Sequence, residues 1–217
     1  VYNVEPFIRG TLDSIYKQGV DESLFEVIVV NDGTPDNSMA IVEMFADAHT
    51  NLAIINQKNQ GLSAARNSGI KVAKGDYIWV VDSDDSITEK SISQALGEIT
   101  RHPYVEMFCF DLNEQRGDNF TPTTLFSKPS YCKYYGEEHD GYFYCRKLPT
   151  GVSPKFLFSR SFLQKNGLLF TPGIYHEDQD FLIRCYTKAK CILPLKHIWY
   201  NYNIRELSLI HISEPTR

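Results

Sequence analysis

Short apolar runs alternate with amphipathic stretches through the first 111 residues of the chain. The apolar runs end at Val30, Ile55 and Val81, and polar residues and then apolar residues at helical spacing follow each of them. Strands that are apolar throughout and separated by helices are typical of a parallel sheet covered on both faces. The sequence therefore predicts an α/β fold with a Rossmann-like, mostly parallel sheet and helices on both faces.

The pattern changes after Asp111. Residues 112–150 are rich in Gly, Pro, Tyr and Phe without a sustained period, and this predicts loops and short strands. Helical spacing returns near Phe162 and again after Glu177. The second half of the chain is therefore expected to be more irregular than the first.

Composition limits the partners and the compartment. The 22 Lys and Arg against 27 Asp and Glu give a net charge of −5, which argues against a nucleic-acid-binding surface. No apolar run approaches the roughly 18 residues that a membrane span needs, so at most peripheral membrane association is expected. The five cysteines lack metal-binding spacing and are expected to be reduced and buried. We expect a cytoplasmic protein, either free or at the inner face of the membrane.

Acidic residues follow two of the predicted strands. Asp32 and Asp82 should both lie at the carboxyl edge of the sheet, where doubly wound folds bind ligands. The segment Asp82-Ser83-Asp84-Asp85 has three carboxylates, and two carboxylates about 4 Å apart repel by roughly 4 kcal/mol at an effective dielectric near 20. A divalent cation such as Mg²⁺ or Mn²⁺ that bridges ligand phosphates fits here. The alternative is a solvated acidic turn in which Asp85 caps the next helix.

Five motifs along the chain resemble, in order and spacing, the motif series of inverting family-2 glycosyltransferases. They are Val1-Tyr2-Asn3, Val29-Val30-Asn31-Asp32-Gly33-Thr34, Asn59-Gln60-Gly61-Leu62-Ser63-Ala64-Ala65-Arg66-Asn67, Asp82-Ser83-Asp84-Asp85 and Glu177-Asp178. The resemblance extends over about residues 1–205. It implies a GT-A fold, a nucleotide-diphospho-sugar donor of the UDP type and a divalent metal, Mn²⁺ or Mg²⁺.

The resemblance also implies roles for individual residues. Asp32 would bind the nucleotide base with Tyr2 beside it, Arg66 would lie near the nucleotide and its phosphates, Asp82 would contact the ribose or donor sugar, Asp84 would ligate the metal, and Asp178 would be the catalytic base. Inversion needs one base for the proton of the acceptor hydroxyl, and the departing diphosphate needs its charge neutralised. The structural alternatives are helix capping by Asp32 or Asp178 and a surface salt bridge at Arg66.

The function that these motifs imply is transfer of a sugar from a UDP-sugar to an acceptor hydroxyl. The acceptor would be a growing surface glycan or a lipid-linked saccharide, as the resemblance implies. A haloacid-dehalogenase-like phosphohydrolase is the alternative enzyme, because it also places D-x-D after an apolar strand. A non-catalytic fragment that binds a nucleotide-sugar is the third possibility.

The same resemblance sets the expected boundaries. We interpret residues 1–206 as one glycosyltransferase domain, with a nucleotide-sugar-binding half over 1–111 and an acceptor-side half over 112–206. Residues 207–217 resemble no family segment and are expected to be foreign to the domain. Family members have an apolar strand just before the Val1-Tyr2-Asn3 turn, and we expect this domain to need such a strand for full stability.

Two histidines and a group of aromatic residues could bind a ligand or could serve only in packing. His176 and His197 are more consistent with packed or exposed histidines than with metal ligands. A group of aromatic residues in the second half could form a sugar-stacking platform, although packing beneath a loop is favoured. This group is Tyr131, Tyr134, Tyr135, Tyr142, Phe143 and Tyr144.

Overall fold

A computed structural model describes residues 1–126, 128–147 and 151–204. The helices are α1 (Glu5–Tyr16), α2 (Ser38–Ala48), α3 (Leu62–Val72), α4 (Ser91–Arg101), α5 (Gly141–Tyr144), α6 (Arg160–Lys165) and α7 (Glu177–Lys188). The strands are β1 (Val27–Asn31), β2 (Leu52–Asn56), β3 (Tyr77–Trp79), β4 (Ser86–Ile87), β5 (Met107–Arg116), β6 (Asn119–Thr123), β7 (Phe156–Ser159) and β8 (Ile192–Asn203). Residues 207–217, interpreted above as a foreign tail, lie outside the described residues.

The strands form two sheets. Strands β1 and β2 pair in parallel, and the larger sheet has the order β3-β7-β5-β8-β4, with β6 also paired to β5. Only β5 and β8 run parallel in the larger sheet as described, and its other pairs are antiparallel. The α/β class is confirmed, but the larger sheet is mixed rather than mostly parallel. The physical reason lies in the second half, where β6 follows β5 through a tight turn, which can join only antiparallel neighbours.

The first half follows the predicted alternation, with small shifts at element ends. Helix α1 has a proline in its first turn and buries Ile8 and Leu12, as its periodicity predicts. Helix α4 begins at Ser91, because the preceding Thr88 amide donates to the Trp199 carbonyl just after β4.

The second half contains more regular structure than its composition predicts. Strand β5 continues through Arg116 because β8 and β6 pair along both of its edges there. The aromatic group between Tyr131 and Tyr144 mostly packs against the core, as favoured above, with Tyr144 fully buried and Tyr142 exposed. Helix α5 lies close to α7, and Gly141 is needed there because a Cβ would overlap the Tyr186 carbonyl.

Two simpler properties bear on the expected compartment. In the described ranges, no helix has the length and apolar character to cross a membrane. All five cysteines are free, but only Cys109 and Cys185 are buried, and Cys145 is exposed. The expectation that all five cysteines are buried is therefore wrong.

Candidate active site

The turn of residues Asp82–Asp85 lies between β3 and β4 and is held from both sides. Its own backbone closes it, because the Asp85 amide donates to the Asp82 carbonyl over 3.1 Å. From α1, the hydroxyl of Thr11 lies 2.7 Å from the Asp85 carbonyl oxygen and 3.0 Å from that of Ser83. The conformation of the acidic turn is thus set by the neighbouring helix as well as by its own sequence.

Strand β8 holds the same turn from the opposite side. The Tyr200 hydroxyl donates to Asp85 over 2.7 Å, and the Asn203 amide donates to the second oxygen of that carboxylate over 2.7 Å. Burial raises the pKa of Asp85 to about 7, against the opposing effect of these donors. Asp85 therefore stabilises the conformation of the turn through these two hydrogen bonds. It does not cap α4, which was the alternative that the sequence left open.

Arg66 brings the acidic turn and the start of α7 together. From α3, its Nη2 donates to Asp82 over 2.7 Å, and its Nη1 lies 2.9 Å from Asp178 and 3.2 Å from Glu177. Only 6% of the Arg66 side chain is exposed, and the guanidinium lies over the ring of Phe170. Arg66 is therefore a buried hub of three carboxylates, not a surface salt bridge.

The contacts of Arg66 and β8 bear on the repulsion between the carboxylates of the acidic turn. From the sequence, a bound cation was expected to relieve that repulsion. In the structure Arg66 compensates Asp82, while Tyr200 and Asn203 donate to Asp85. A metal is therefore not needed to explain how these two carboxylates lie in one turn.

Asp178 lies in the first turn of α7 in a largely enclosed position. Burial raises the pKa of its carboxyl, and the positive charge of Arg66 opposes that rise. The hydroxyl of Ser153 is fully buried close to Asp178 and also acts to lower that pKa. Arg66 Nε has no hydrogen-bond partner within the described part of the chain. A buried carboxylate with a raised pKa beside a specific charged partner is typical of a catalytic site.

The nucleotide-side residues lie at the end of β1. The Asp32 amide donates to the Val1 carbonyl and the Asn3 amide donates to Thr34, so Tyr2 is held beside Asp32, and its side chain is half exposed. The Asp32 carboxylate accepts from the Gln57 side chain.

Two further protein donors reach the same carboxylate. The amides of Gln60 and Gly61 donate to Asp32, which therefore organises the loop before α3. Three of the roughly four lone-pair positions of a carboxylate are thus used, and one remains for a further N–H donor.

The carboxylates of Asp82 and Asp85 in the acidic turn are engaged by protein donors. Across the described ranges, no group of three or more His, Cys, Asp or Glu side chains could hold a metal ion. Mg²⁺ commonly binds through one or two carboxylates together with substrate phosphates, so one aspartate plus a diphosphate is an adequate ligand set. Asp84 is the aspartate of this turn to which the motif resemblance assigns the metal.

The fold is that of the GT-A class of proteins. The structure superposes on the crystal structure of Staphylococcus aureus TarS 1–349 in complex with UDP-GlcNAc, with a TM-score of 0.82 and 26% identity. That superposition covers 100% of this chain and 60% of the TarS chain. The GT-A fold implied by the sequence motifs is confirmed.

The chain belongs to Glycosyl transferase family 2, whose family model matches residues 1–167. It is 32% identical over 98% of its length to the uncharacterized glycosyltransferase EpsJ of Bacillus subtilis, covering 61% of EpsJ. It is 30% identical over 94% of its length to a poly(ribitol-phosphate) beta-glucosyltransferase of Bacillus spizizenii, covering 31% of that protein. The chain thus spans at most about three-fifths of these relatives. Because the chain belongs to this family, the alternative of a haloacid-dehalogenase-like phosphohydrolase is excluded.

Sequence reasoning missed several residues that shape this site. Thr11, Tyr200 and Asn203 hold the acidic turn, and Ser153 lies beside Asp178. Tyr200 and Asn203 lie in the tyrosine-rich end of β8, but nothing in its sequence indicates which carboxylate they contact. Thr11 and Ser153 had no recognisable signal, since each acts through a contact distant in sequence.

Proposed function

We propose that this chain is the catalytic part of an inverting glycosyltransferase that transfers a sugar from a UDP-sugar to a hydroxyl of a bacterial surface polysaccharide. The observation that carries the proposal is the Arg66 hub, which places the turn of Asp82 next to Asp178. The similarity to TarS bound to UDP-GlcNAc supports the donor class. The similarity to poly(ribitol-phosphate) glycosyltransferases supports a polymeric surface acceptor.

The donor would lie along the end of β1 and across the acidic turn. Tyr2 and Asp32 would contact the base, with the free lone-pair position of Asp32 accepting its N–H. Asp82 would face the ribose or sugar, and Arg66, which pairs with Asp82, would lie near the diphosphate.

Asp84 would ligate a divalent metal, Mn²⁺ or Mg²⁺, between the turn and the diphosphate. When bound, such an ion neutralises the negative charge that develops on the departing diphosphate. The Asn203 side chain donates to the Asp84 carbonyl over 3.3 Å. This hydrogen bond holds the backbone from which the Asp84 side chain extends.

Asp178 would act as the catalytic base. One oxygen accepts from Arg66, which leaves the second oxygen for the proton of the acceptor hydroxyl. A bond forms between the acceptor oxygen and the sugar C1 as the bond from C1 to the diphosphate oxygen breaks, and UDP leaves. Attack from the side opposite the leaving group inverts the configuration at C1. Burial raises the pKa of Asp178, and the positive charge of Arg66 opposes that rise, which favours the ionised form that a base requires.

UDP release tests this function. The chain is incubated with Mn²⁺ and a panel of UDP-sugars, with and without saccharide or polyol-phosphate acceptors. We expect acceptor-stimulated release of UDP from at least one donor. UDP binding without release in any combination would support the binding-fragment alternative. Failure to bind any UDP-sugar would contradict the proposal.

A further inference from the structure

We propose that Tyr200 is a positioning residue that holds the Asp82–Asp85 turn in the conformation that binds the donor. Its hydroxyl links the two ends of that turn, through the Asp82 amide and the Asp85 carboxylate. The inference rests on the proposed function, because that function makes the turn a donor site.

The hydrogen-bond directions around Tyr200 are fixed by chemistry. The Asp82 amide lies 3.1 Å from the hydroxyl and can only donate, so the hydroxyl oxygen accepts there. Its single hydrogen is then available for Asp85, 2.7 Å away. Tyr200 therefore closes a second connection between Asp82 and Asp85, in addition to the backbone hydrogen bond within the turn.

The position of Tyr200 makes this connection rigid. Tyr200 is fully buried on β8, where it pairs with Ile87 on one side and with Leu112 on the other. Three residues further along the same strand, Asn203 donates to the Asp85 carboxylate and to the Asp84 carbonyl. Strand β8 thus holds three of the four residues of the turn.

A second buried tyrosine shows that burial alone does not explain these contacts. Tyr186 on α7 is also buried, and within the described residues its hydroxyl has no hydrogen-bond partner. The core of this protein therefore accommodates a tyrosine whose hydroxyl makes no such connection. Tyr200→Phe removes only the connection to the turn, and Tyr186→Phe is a matched control.

The consequence should be weaker binding of the donor rather than slower chemistry. The carboxylates of Asp82 and Asp84 remain present in Tyr200→Phe, but the turn that carries them loses one of its supports. We expect the Kd for UDP in the presence of Mn²⁺ and the KM for the donor to rise about tenfold. We expect kcat to change by less than threefold, since Asp178 is untouched.

The experiment compares the full chain with Tyr200→Phe and Tyr186→Phe. Isothermal titration calorimetry with UDP and Mn²⁺ gives the affinity, and hydrogen exchange gives the protection of the amides of residues 82–85. We expect faster exchange and weaker UDP binding in Tyr200→Phe alone, with Tyr186→Phe matching the parent in both.

Each outcome decides between the alternatives. Equal UDP affinity in Tyr200→Phe and the parent, or unchanged exchange at residues 82–85, would overturn the positioning role. The same loss of affinity in Tyr186→Phe would also overturn it, because a general loosening of the core would then explain the effect. Absence of UDP binding by the parent would instead overturn the proposed function, and this inference with it.

Discussion

Asp82 and Asp178 accept hydrogen bonds from the same guanidinium group. Arg66 reaches Asp82 through Nη2 over 2.7 Å and Asp178 through Nη1 over 2.9 Å. The spacing between the proposed donor-contacting aspartate and the proposed base is therefore set by one planar side chain. Because a guanidinium is rigid and permanently charged, it can fix the positions of both carboxylates.

Removal of Arg66 should destabilise the fold. Arg66→Met leaves Asp82, Glu177 and Asp178 close together without a compensating charge. Breaking a fully buried pair costs about 3–5 kcal/mol, and the partial exposure of the partners reduces our expectation to about 2–4 kcal/mol. Urea unfolding at pH 7 measures this loss.

A surface pair supplies the control for Arg66. Lys17→Met breaks the exposed pair with Asp13 and should cost less than about 1 kcal/mol. The deficit of Arg66→Met should also shrink as the pH falls, because Asp178, whose pKa burial raises, then binds a proton in the folded variant. Equal losses in the two variants, or a deficit independent of pH, would contradict the buried-hub interpretation.

Asp84→Asn should abolish the effect of metal on donor binding while leaving the fold intact. The substitution removes one charge from the acidic turn, so stability in metal-free buffer should stay the same or rise slightly. Titration of UDP with and without Mn²⁺ tests the prediction, and Asp118→Asn in the exposed β5–β6 turn is the control. If Mn²⁺ strengthens UDP binding by Asp84→Asn as much as by the parent, Asp84 is not a metal ligand.

The pH dependence of transfer should reflect the buried position of Asp178. Burial raises the pKa of this carboxyl above 3.8, and Arg66 and Ser153 oppose the rise. Since a base acts only when it is deprotonated, kcat/KM should fall as the pH decreases through this raised pKa. The same shift means that the contribution of Asp178 to stability is present at low pH and lost as the pH rises through the folded-state pKa.

Ser153→Ala should move the acid limb of that profile to higher pH, because it removes a hydroxyl that lowers the pKa of Asp178. The control is Ser161→Ala. Ser161 is exposed, and its hydroxyl forms a hydrogen bond with that of Ser159. The pH profile of UDP release measures both variants. An acid limb that stays in place in Ser153→Ala would show that the hydroxyl does not act on Asp178.

Two glycines should respond in opposite ways to the same substitution. Gly141→Ala forces a Cβ into the Tyr186 carbonyl and should cost about 1–3 kcal/mol, as overpacking typically does. Gly10→Ala lies on the exposed side of α1 with open space around it and should stabilise the protein by about 0.5–1 kcal/mol. Thermal unfolding of the two variants distinguishes them, and a stable Gly141→Ala would contradict the close contact of α5 with α7.

The sequence predicts elements whose side chains follow a simple period. Strands β1, β2 and β3 are apolar runs, and α1 and α7 have a clear apolar face, so local pattern is sufficient there. Strand β8 cannot be predicted from such a pattern, because Pro194, Lys196 and His197 interrupt its apolar residues. Its extended conformation is imposed by pairing with β5 and β4, which only the folded chain supplies.

The sequence names candidate residues for the site but not the contacts between them. Asp32, Asp82 and Asp178 were identified from motifs and predicted strand ends. The hub of Arg66 could not be predicted, since its partners come from the acidic turn and from α7. Likewise, nothing local indicates that Gln57 and the following loop occupy most of the Asp32 carboxylate.

The most direct test of the account is the rate of UDP release by Asp178→Asn relative to the parent, measured together with the affinity for the same UDP-sugar. Asparagine can still accept from Arg66, so the hub and the donor site should persist. A general base contributes typically about 10²–10⁴-fold to the rate, and we predict a loss of this size in kcat. Donor affinity should remain within about threefold, because the base acts in the transition state. The control Asp180→Asn, whose exposed carboxylate pairs with Arg184, should retain near-parental rates. Near-parental transfer by Asp178→Asn would contradict the account.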